Sequence, residues 1–431
     1  MPARHQSVPH AQQPRHARGL KSHNAVRGIA LAAVALVVFG ASSAVAVAQR
    51  LQSNITTVDV SGLTGPRPSS MAAAKPGDPN AGQPVNILVM GSDTRAGVNA
   101  SIGGNDSGQR SDTAIVVHIS ADRSRVELVS IPRDSLVKIP VCQATNGKSS
   151  RASSSAMFNS AFATGWDMGG DMASAAACAI KTVQQNTGVA IDHFAVVDFA
   201  GFQAMVNAIG GVPMCIPHAL HDTYSGLDLP AGQQVLNGQQ ALELARARHG
   251  NVGDGGDLDR IGNQQRLIQA MVNEVLSKKV LTNVPNLVSF LSAATSSLTT
   301  DSGLQLQNLT GLAYNLRNIN RDNVVFMTIP TGPAPSDPNR LVWTSAAAAI
   351  WANMAADKPI LQEAAQPTPT TASTPAKTSA AGTKTSAAGG AKSGTATPPA
   401  AAATPAAPAP SVSKAAGHEA FTSADNTGSC S

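Results

Sequence analysis

Charge and aromatic rings are both in short supply in this chain. Charged residues make up 13% of it and aromatics 3%, with two tyrosines and three tryptophans in 431 residues. The formal net charge of +5 is small for this length, and part of it sits in an N-terminal arm (Arg4, Arg15, Arg18, Lys21, Arg27). That distribution does not argue for nucleic acid as a partner. Zinc-finger spacing and RNA-binding signatures are absent, and so are the Gly-x-Ser-x-Gly elbow, the zincin motif and the Walker loop. The glycines at Gly201 and Gly210-Gly211 bound a helix and do not form a dinucleotide fingerprint. No internal repeat is apparent. The four cysteines fit an oxidising location only if they pair. Cys142 and Cys178, which bracket a loop-plus-helix region, are the disulfide candidate. The simplest reading leaves Cys215 and the near-terminal Cys430 as free thiols, but spacing does not decide the pairing.

What is present begins with an uncharged, apolar or small-residue run from Gly28 to Ala48, roughly the 20 residues a bilayer core requires. A secretory signal would have a shorter apolar region and a cleavage site, which Ala-Ser-Ser-Ala-Val-Ala at 41–46 imitates. The long basic arm and the length of the run favour an uncleaved transmembrane anchor. The positive-inside rule then keeps arm 1–27 cytoplasmic and puts everything after Arg50 outside the cell membrane. Residues 49–83, with Pro66, Pro68, Pro76 and Pro79, read as a stalk without a core of its own. Residues 362–431 are Ala/Pro/Thr-rich with Phe421 their only aromatic. Such a segment buries too little apolar surface to offset the entropy of ordering, so a disordered tail is expected.

Residues 84–361 remain as one domain. Short apolar runs at Val85–Met90, Thr113–Ile119, Val126–Ile131, Asp192–Phe199 and Val324–Ile329 read as strands. Helical spacing covers Ala173–Asn186, Ala200–Ile209, Gln264–Leu276 and Leu304–Arg317. Asn237-Gly-Gln-Gln240 reads as an N-cap with a capping-box glutamine, opening a helix to about Ala245. Strands alternating with helices indicate a layered α/β fold.

Two runs, Asn86–Arg95 and Arg110–Thr113, each put an Asp near an Arg beside an apolar stretch. A hard cation such as magnesium takes oxygen ligands, typically one or two carboxylates with substrate phosphates and water, and Asp93 and Asp112 suit that role. Each Asp also suits a helix cap or a structural ion pair with its nearby Arg. Arg95, Arg110, Arg133, Arg246, Arg248 and Arg260 are phosphate candidates, because the planar guanidinium matches phosphate oxygens two at a time. Arg133 follows Pro132 at a strand end. Arg246 and Arg248 fall at or just beyond a helix end, and an extended exit would point them the same way. Helix-end complementation also accounts for them. Arg260 and Gln264 share a helix face, with Asp257 or Asp259 as its cap. His249 reads as an ordinary loop histidine, with no second His at ligand spacing.

The order of these motifs resembles the LytR-CpsA-Psr (LCP) family of envelope phosphotransferases. The matching segments are Asn86–Arg95, Arg110–Thr113, Leu128–Asp134, Phe158–Phe162, Ile191–Gly211, Gly232–Gly238 with Ala241–His249, and Asp257–Gln265. They cover residues 85–276; the anchor, stalk and tail look like those of actinobacterial members. The resemblance implies a three-layer α/β/α sandwich around a central mixed sheet, with an apolar interior for a polyprenyl tail. It implies transfer of a glycopolymer from an undecaprenyl-diphosphate carrier to peptidoglycan, with a phosphodiester formed and lipid phosphate released. Asp93 and Asp112 match magnesium ligands, with manganese as a substitute. Arg133, Arg246, Arg248, Arg260 and Gln264 match diphosphate contacts, and Arg95 and Arg110 flank the metal ligands. Arg133 and Asp257 are the catalytic candidates, Asp257 for helping to deprotonate the acceptor hydroxyl. Two positions depart from the pattern: Met157-Phe158 stands where many members carry a lysine, and Asn263 where an arginine often precedes the paired glutamines. The alternatives are a polyprenyl-diphosphate diphosphatase and a non-catalytic wall-binding or regulatory protein.

Overall fold

The computed structural model describes residues 24–65, 82–93, 109–252, 256–275, 284–316, 319–361, 414–425 and 430. They fall into two compact units, 1–53 and 54–431. The described residues of the first lie in one helix, α1 (Asn24–Asn54), whose span Arg27–Asn54 is long and apolar enough to cross a membrane. It outruns the expected segment 28–48 because no helix breaker follows Ala48 before the β-branched run Ile55-Thr-Thr-Val58.

The second unit is organised on an eight-stranded sheet. Its strands are β1 (Thr56–Val58), β2 (Val85–Ser92), β3 (Ser111–Ile119), β4 (Val126–Ser130), β5 (His193–Asp198), β6 (Leu298–Asp301), β7 (Val324–Thr328) and β8 (Phe421–Thr422). They lie in the order β1-β6-β5-β2-β3-β4-β7-β8. The pairs β1/β6, β5/β2 and β4/β7 are parallel and the rest antiparallel, so the sheet is mixed. Among the described residues its longer helices are α2 (Asn159–Gly169), α3 (Met172–Thr187), α4 (Phe199–Ala208), α5 (Gly238–Arg246), α6 (Asp257–Val275), α7 (Val284–Ser296), α8 (Leu306–Leu316) and α9 (Ser345–Ala355).

Side-chain alternation along the central strands builds the layers. Leu88, Met90 and Val116 face one side, where they cluster with residues of α2, α3 and α9. Val85, Ile87 and Ile119 face the other, against Leu309, Leu312 and Leu316 of α8. This is the expected three-layer arrangement. The α2–α3 contact needs Gly165: a Cβ there would lie 2.2 Å from the Ser174 carbonyl oxygen. The expected Cys142–Cys178 disulfide is present and ties the loop after the Leu136–Ile139 strand to α3. The capping box at Asn237 and Gln240 forms as read.

Three expectations need correction. Thr56–Val58 of the supposed stalk is an edge strand, and Val60 is buried in the main core. A β-branched triplet favours a pleated, half-buried position, and the prolines that suggested a stalk come after it, outside the described residues. The supposed tail also returns to the fold. Phe421 is fully buried, stacks on Phe326 with centroids 5.1 Å apart, and sits in β8 on the opposite sheet edge. Residues 362–413 lie outside the described residues. Finally, Cys215 and Cys430 are not free thiols but a second disulfide. Burial of one aromatic and one covalent link order a segment whose composition alone would not.

Candidate functional site

The sheet topology gathers the site at one end of the central strands. Strand β2 ends at Ser92, its antiparallel neighbour β3 begins at Ser111, and β4 runs back alongside β3 to end at Ser130. Asp93, Asp112 and Arg133 therefore emerge at the same end of three adjacent strands. Helix α6 is anchored over that end by Gln265, whose amide donates to the hydroxyls of Ser130 (3.1 Å) and Thr328 (3.3 Å). Its first turn brings in Asp257 and Arg260, both nearly inaccessible to solvent.

Four of these side chains form one network. The Arg133 guanidinium donates to Asp112 at 3.0 Å, and the Arg133 backbone N–H donates to Asp257 at 2.7 Å. Arg260 donates to the other Asp257 oxygen and, at 2.9 Å, to the Asp112 backbone carbonyl. Its second amino group lies 3.9 Å from the Asp112 carboxylate. The Nε–H groups of Arg133 and Arg260 are buried without a hydrogen-bond acceptor. Burial opposes charge on Asp112, but Arg133 and Arg260, with Arg248 behind them, outweigh it and hold its carboxyl below the ordinary value. Asp257 goes the other way: burial pushes its carboxyl up against the pull of Arg260 and Arg133. Arg248 is disfavoured as a cation by burial and by the nearby Arg133 and Arg260 guanidiniums. Three mutually repelling guanidiniums, two of them with an unmet Nε–H donor, make a setting that an added anion relieves.

The other sequence-derived residues are placed as follows. Asp93 accepts the Arg110 backbone N–H at 2.6 Å across the β2–β3 mouth, and Arg110 is exposed. Arg95 lies outside the described residues. Arg246, the last residue of α5, packs over the Phe199 ring at 4.9 Å, whereas Arg248, beyond an extended Ala247, interacts with the central cluster. Gln264 donates to the Ala245 carbonyl at 3.0 Å and so joins α6 to α5. Both Asp257 oxygens are engaged, so in this arrangement it orients Arg133 and Arg260. Asn159, two residues after Met157, donates its backbone N–H to the Arg133 carbonyl at 3.2 Å.

Sequence reasoning missed three supports. Asp134 accepts from Arg340 at 3.1 Å and lies 3.7 Å from the Arg133 Nε. Asp222 holds the Arg248 loop by accepting the Arg248 and His249 N–H groups at 2.8 and 2.9 Å. Gln265 is the α6 anchor described above. Its place in the Gln264-Gln265 pair was a visible signal; Asp134 and Asp222 had none beyond their charge.

The donor set suits a hard divalent cation. Asp93 and Asp112 offer carboxylate oxygens from adjacent strand ends, and among the described residues no cluster of three or more His, Cys, Asp or Glu forms a closed cage. Magnesium commonly takes one or two carboxylates and completes its shell with water and substrate phosphate.

The LytR_cpsA_psr family model matches residues 35–356. The chain is 32% identical over 264 residues to the cell wall biosynthesis protein LcpA of Corynebacterium glutamicum, covering 57% of this chain and 49% of that one. It is 29% identical over 236 residues to the polyisoprenyl-teichoic acid–peptidoglycan teichoic acid transferase TagU of Enterococcus faecalis, covering 55% and 67%. The chain spans about half the length of the corynebacterial relatives it matches. The crystal structure of protein gbs0355 from Streptococcus agalactiae shares the fold, with a TM-score of 0.50 and 21% identity over 64% of this chain and 87% of that one.

Proposed function

The chain belongs to the LytR_cpsA_psr family, and from that premise we propose that it transfers a glycopolymer from an undecaprenyl-diphosphate carrier to peptidoglycan. The observation that carries this reading is the Asp112–Arg133–Asp257–Arg260 network, buried at Asp257 and Arg260 and partly open at Asp112 and Arg133, with its unmet guanidinium donors. The naming of one relative as a teichoic acid transferase supports it.

In this reaction the acceptor hydroxyl attacks the phosphorus that bears the glycan. The new P–O bond makes a phosphodiester, the diphosphate bridge breaks with its electron pair leaving on undecaprenyl phosphate, and the hydroxyl's proton passes to solvent or to that phosphate. Phosphoryl transfer depends more on positioning and charge neutralisation than on covalent help. Arg133, Arg260 and Arg248 bind and orient the diphosphate, and Asp257 fixes two of them by accepting the Arg133 backbone N–H and a terminal amino group of Arg260. Asp93 and Asp112 would hold magnesium, which when bound supplies charge neutralisation at the phosphate oxygens. Helix α1 serves as a single-pass anchor with the basic arm in the cytoplasm and the catalytic unit outside, where a substrate with a bilayer-bound tail is found.

The test incubates the full chain in detergent with a lipid-diphosphate glycan, Mg²⁺ and peptidoglycan fragments, and reads the acceptor by mass spectrometry. A phosphodiester-linked adduct that disappears in Asp112→Ala is expected. Phosphorylated glycan released to water without adduct would point to the diphosphatase, and intact donor to a binding role.

A further inference from the structure

Beside the arginine network stands a pair of rings that the phosphotransfer reading leaves without a task. The hairpin of Leu220–Asp222 and Leu227–Leu229 is rooted by three buried leucines, Leu220, Leu227 and Leu229, in the second core cluster. Its turn presents Tyr224, which is 80% exposed. The Tyr224 ring lies 4.5 Å from the His249 ring, tilted by 39°. His249 directly follows Arg248.

One carboxylate fixes this arrangement. Asp222 accepts the Tyr224 N–H on one oxygen at 2.8 Å, and the Arg248 and His249 N–H groups on the other. Asn251 bridges the same two segments, donating to Ala219 and accepting from the His221 N–H. Gly250, at φ +70°, allows the loop to approach the hairpin: a Cβ there would lie 2.0 Å from the His221 carbonyl oxygen. The backbone that carries the two rings is thus tied down on both segments. The same base sets Arg248, whose charge interacts with Arg133, Arg260, Asp112 and Asp257.

A single exposed apolar residue is ordinary on a protein surface. A ring backed by a second ring, with Arg248 next in the chain, is different, because the open face of Tyr224 is an apolar surface with a polar edge, held at little entropic cost on binding. A pyranose has the matching shape, with axial C–H groups on one face and hydroxyls around the rim. We propose that Tyr224 and His249 form a stacking platform for a pyranose ring of the saccharide whose phosphate, or whose attacking hydroxyl, lies beside Arg248. The proposal rests on the phosphotransfer reading for the presence of a sugar there, but it concerns binding and needs no turnover.

The experiment is saturation-transfer-difference NMR on the full chain in detergent micelles. One arm uses muramidase-released peptidoglycan fragments, and the other a short-prenyl diphosphate-linked N-acetylglucosamine. Sugar-ring protons should be saturated in one arm, identifying the acceptor or the donor as the source. Tyr224→Ala should weaken that binding about tenfold, about 1.4 kcal/mol, with Tyr224→Phe near wild type and His249→Ala intermediate. Circular dichroism melts of each variant exclude misfolding. No sugar saturation in either arm, or equal saturation in wild type and Tyr224→Ala, overturns the platform. A protein that binds sugar through Tyr224 but makes no adduct would refute the ligase and leave the platform standing. One that makes adduct with undiminished efficiency in Tyr224→Ala would do the reverse.

Discussion

Asp257→Asn isolates what the buried carboxylate does for its neighbours. The side chains of Asp257 and Arg260 are only 2% and 4% accessible, and Arg260 donates directly to Asp257. The substitution is isosteric, but one side-chain oxygen becomes an NH₂. If the remaining oxygen keeps the Arg133 backbone N–H, the new NH₂ faces the Arg260 guanidinium, donor against donor. Arg260 retains the Asp112 carbonyl and a carboxylate 3.9 Å away, so its charge is partly compensated. Removing one partner of a buried pair costs about 3–5 kcal/mol, and this residual compensation places the loss near the lower end. At roughly 2–4 °C per kcal/mol for a domain of this size, the melting temperature should fall by about 6–12 °C. Differential scanning fluorimetry at low and high salt measures it, and salt should change the difference little because the pair is buried. Adding Arg260→Gln should recover part of the loss, since the unpaired charge is then gone. A melting temperature within about 2 °C of wild type, or a double variant no better than the sum of singles, would sink the argument that Asp257 neutralises Arg260.

Asp112→Ala and Arg133→Ala should each lower transfer by at least about 100-fold, the usual scale for losing a preorganised charge-stabilising group. Their melting curves should stay cooperative, and full activity in either would remove that residue from the site. Chelation by EDTA should abolish transfer and added Mg²⁺ restore it, with no restoration in Asp93→Ala; activity that survives thorough chelation argues against a metal. Phe421→Ala removes a fully buried ring, a change worth about 3–5 kcal/mol. Hydrogen exchange should accelerate in residues 414–425 and β7, whereas unchanged exchange there means the strap is held by other contacts. Burial raises the Asp222 carboxyl, but N–H donors from His249, Arg248, Tyr224 and Ser225 outweigh it and hold the group below its ordinary 3.8. A depressed folded-state pKa contributes stability above the unfolded value that is lost as pH falls through the folded one. Amide exchange at Arg248 and His249 should therefore stay slow at pH 5 and rise only below about pH 4, with the rise absent in Asp222→Asn, whose loop is loosened throughout.

The central strands were legible because short, mostly apolar runs such as Val85–Met90 and Val126–Ile131 fit a buried strand better than any other element, and the capping box at Asn237 is a local signal complete within four residues. Asp112, Arg133, Asp257 and Arg260 were each visible as charged residues beside apolar segments, and the structure brings all four together. Their partnerships were not visible, because they depend on which strand ends meet. Asp134 and Arg340 lie 206 positions apart, and Cys215 and Cys430 are separated by 215. Arg246 and Arg248, read as a pair on an extended exit, sit on different backbone, because Arg246 is still the last residue of the helix and packs over Phe199 while the chain becomes extended only at Ala247. The N-terminal edge strand and β8 escaped for a different reason. Three and two residues respectively are too few for periodicity to register, and their order comes from the sheet edges they join.

The Cys215–Cys430 link, with β8 just before it, changes the geometry open to the Ala/Pro/Thr-rich stretch between Leu361 and Lys414. The described segments on either side of it both belong to the second unit, so its covalent connectivity is that of a closed loop. Its roughly 50 residues doubled back, at about 3.4 Å each, reach no more than about 85 Å from their roots, about half the radius of the same chain tied at one end. A single backbone nick within it would liberate no fragment, because each stub stays attached. Whatever that stretch binds therefore stays covalently joined to the second unit even after one backbone cut.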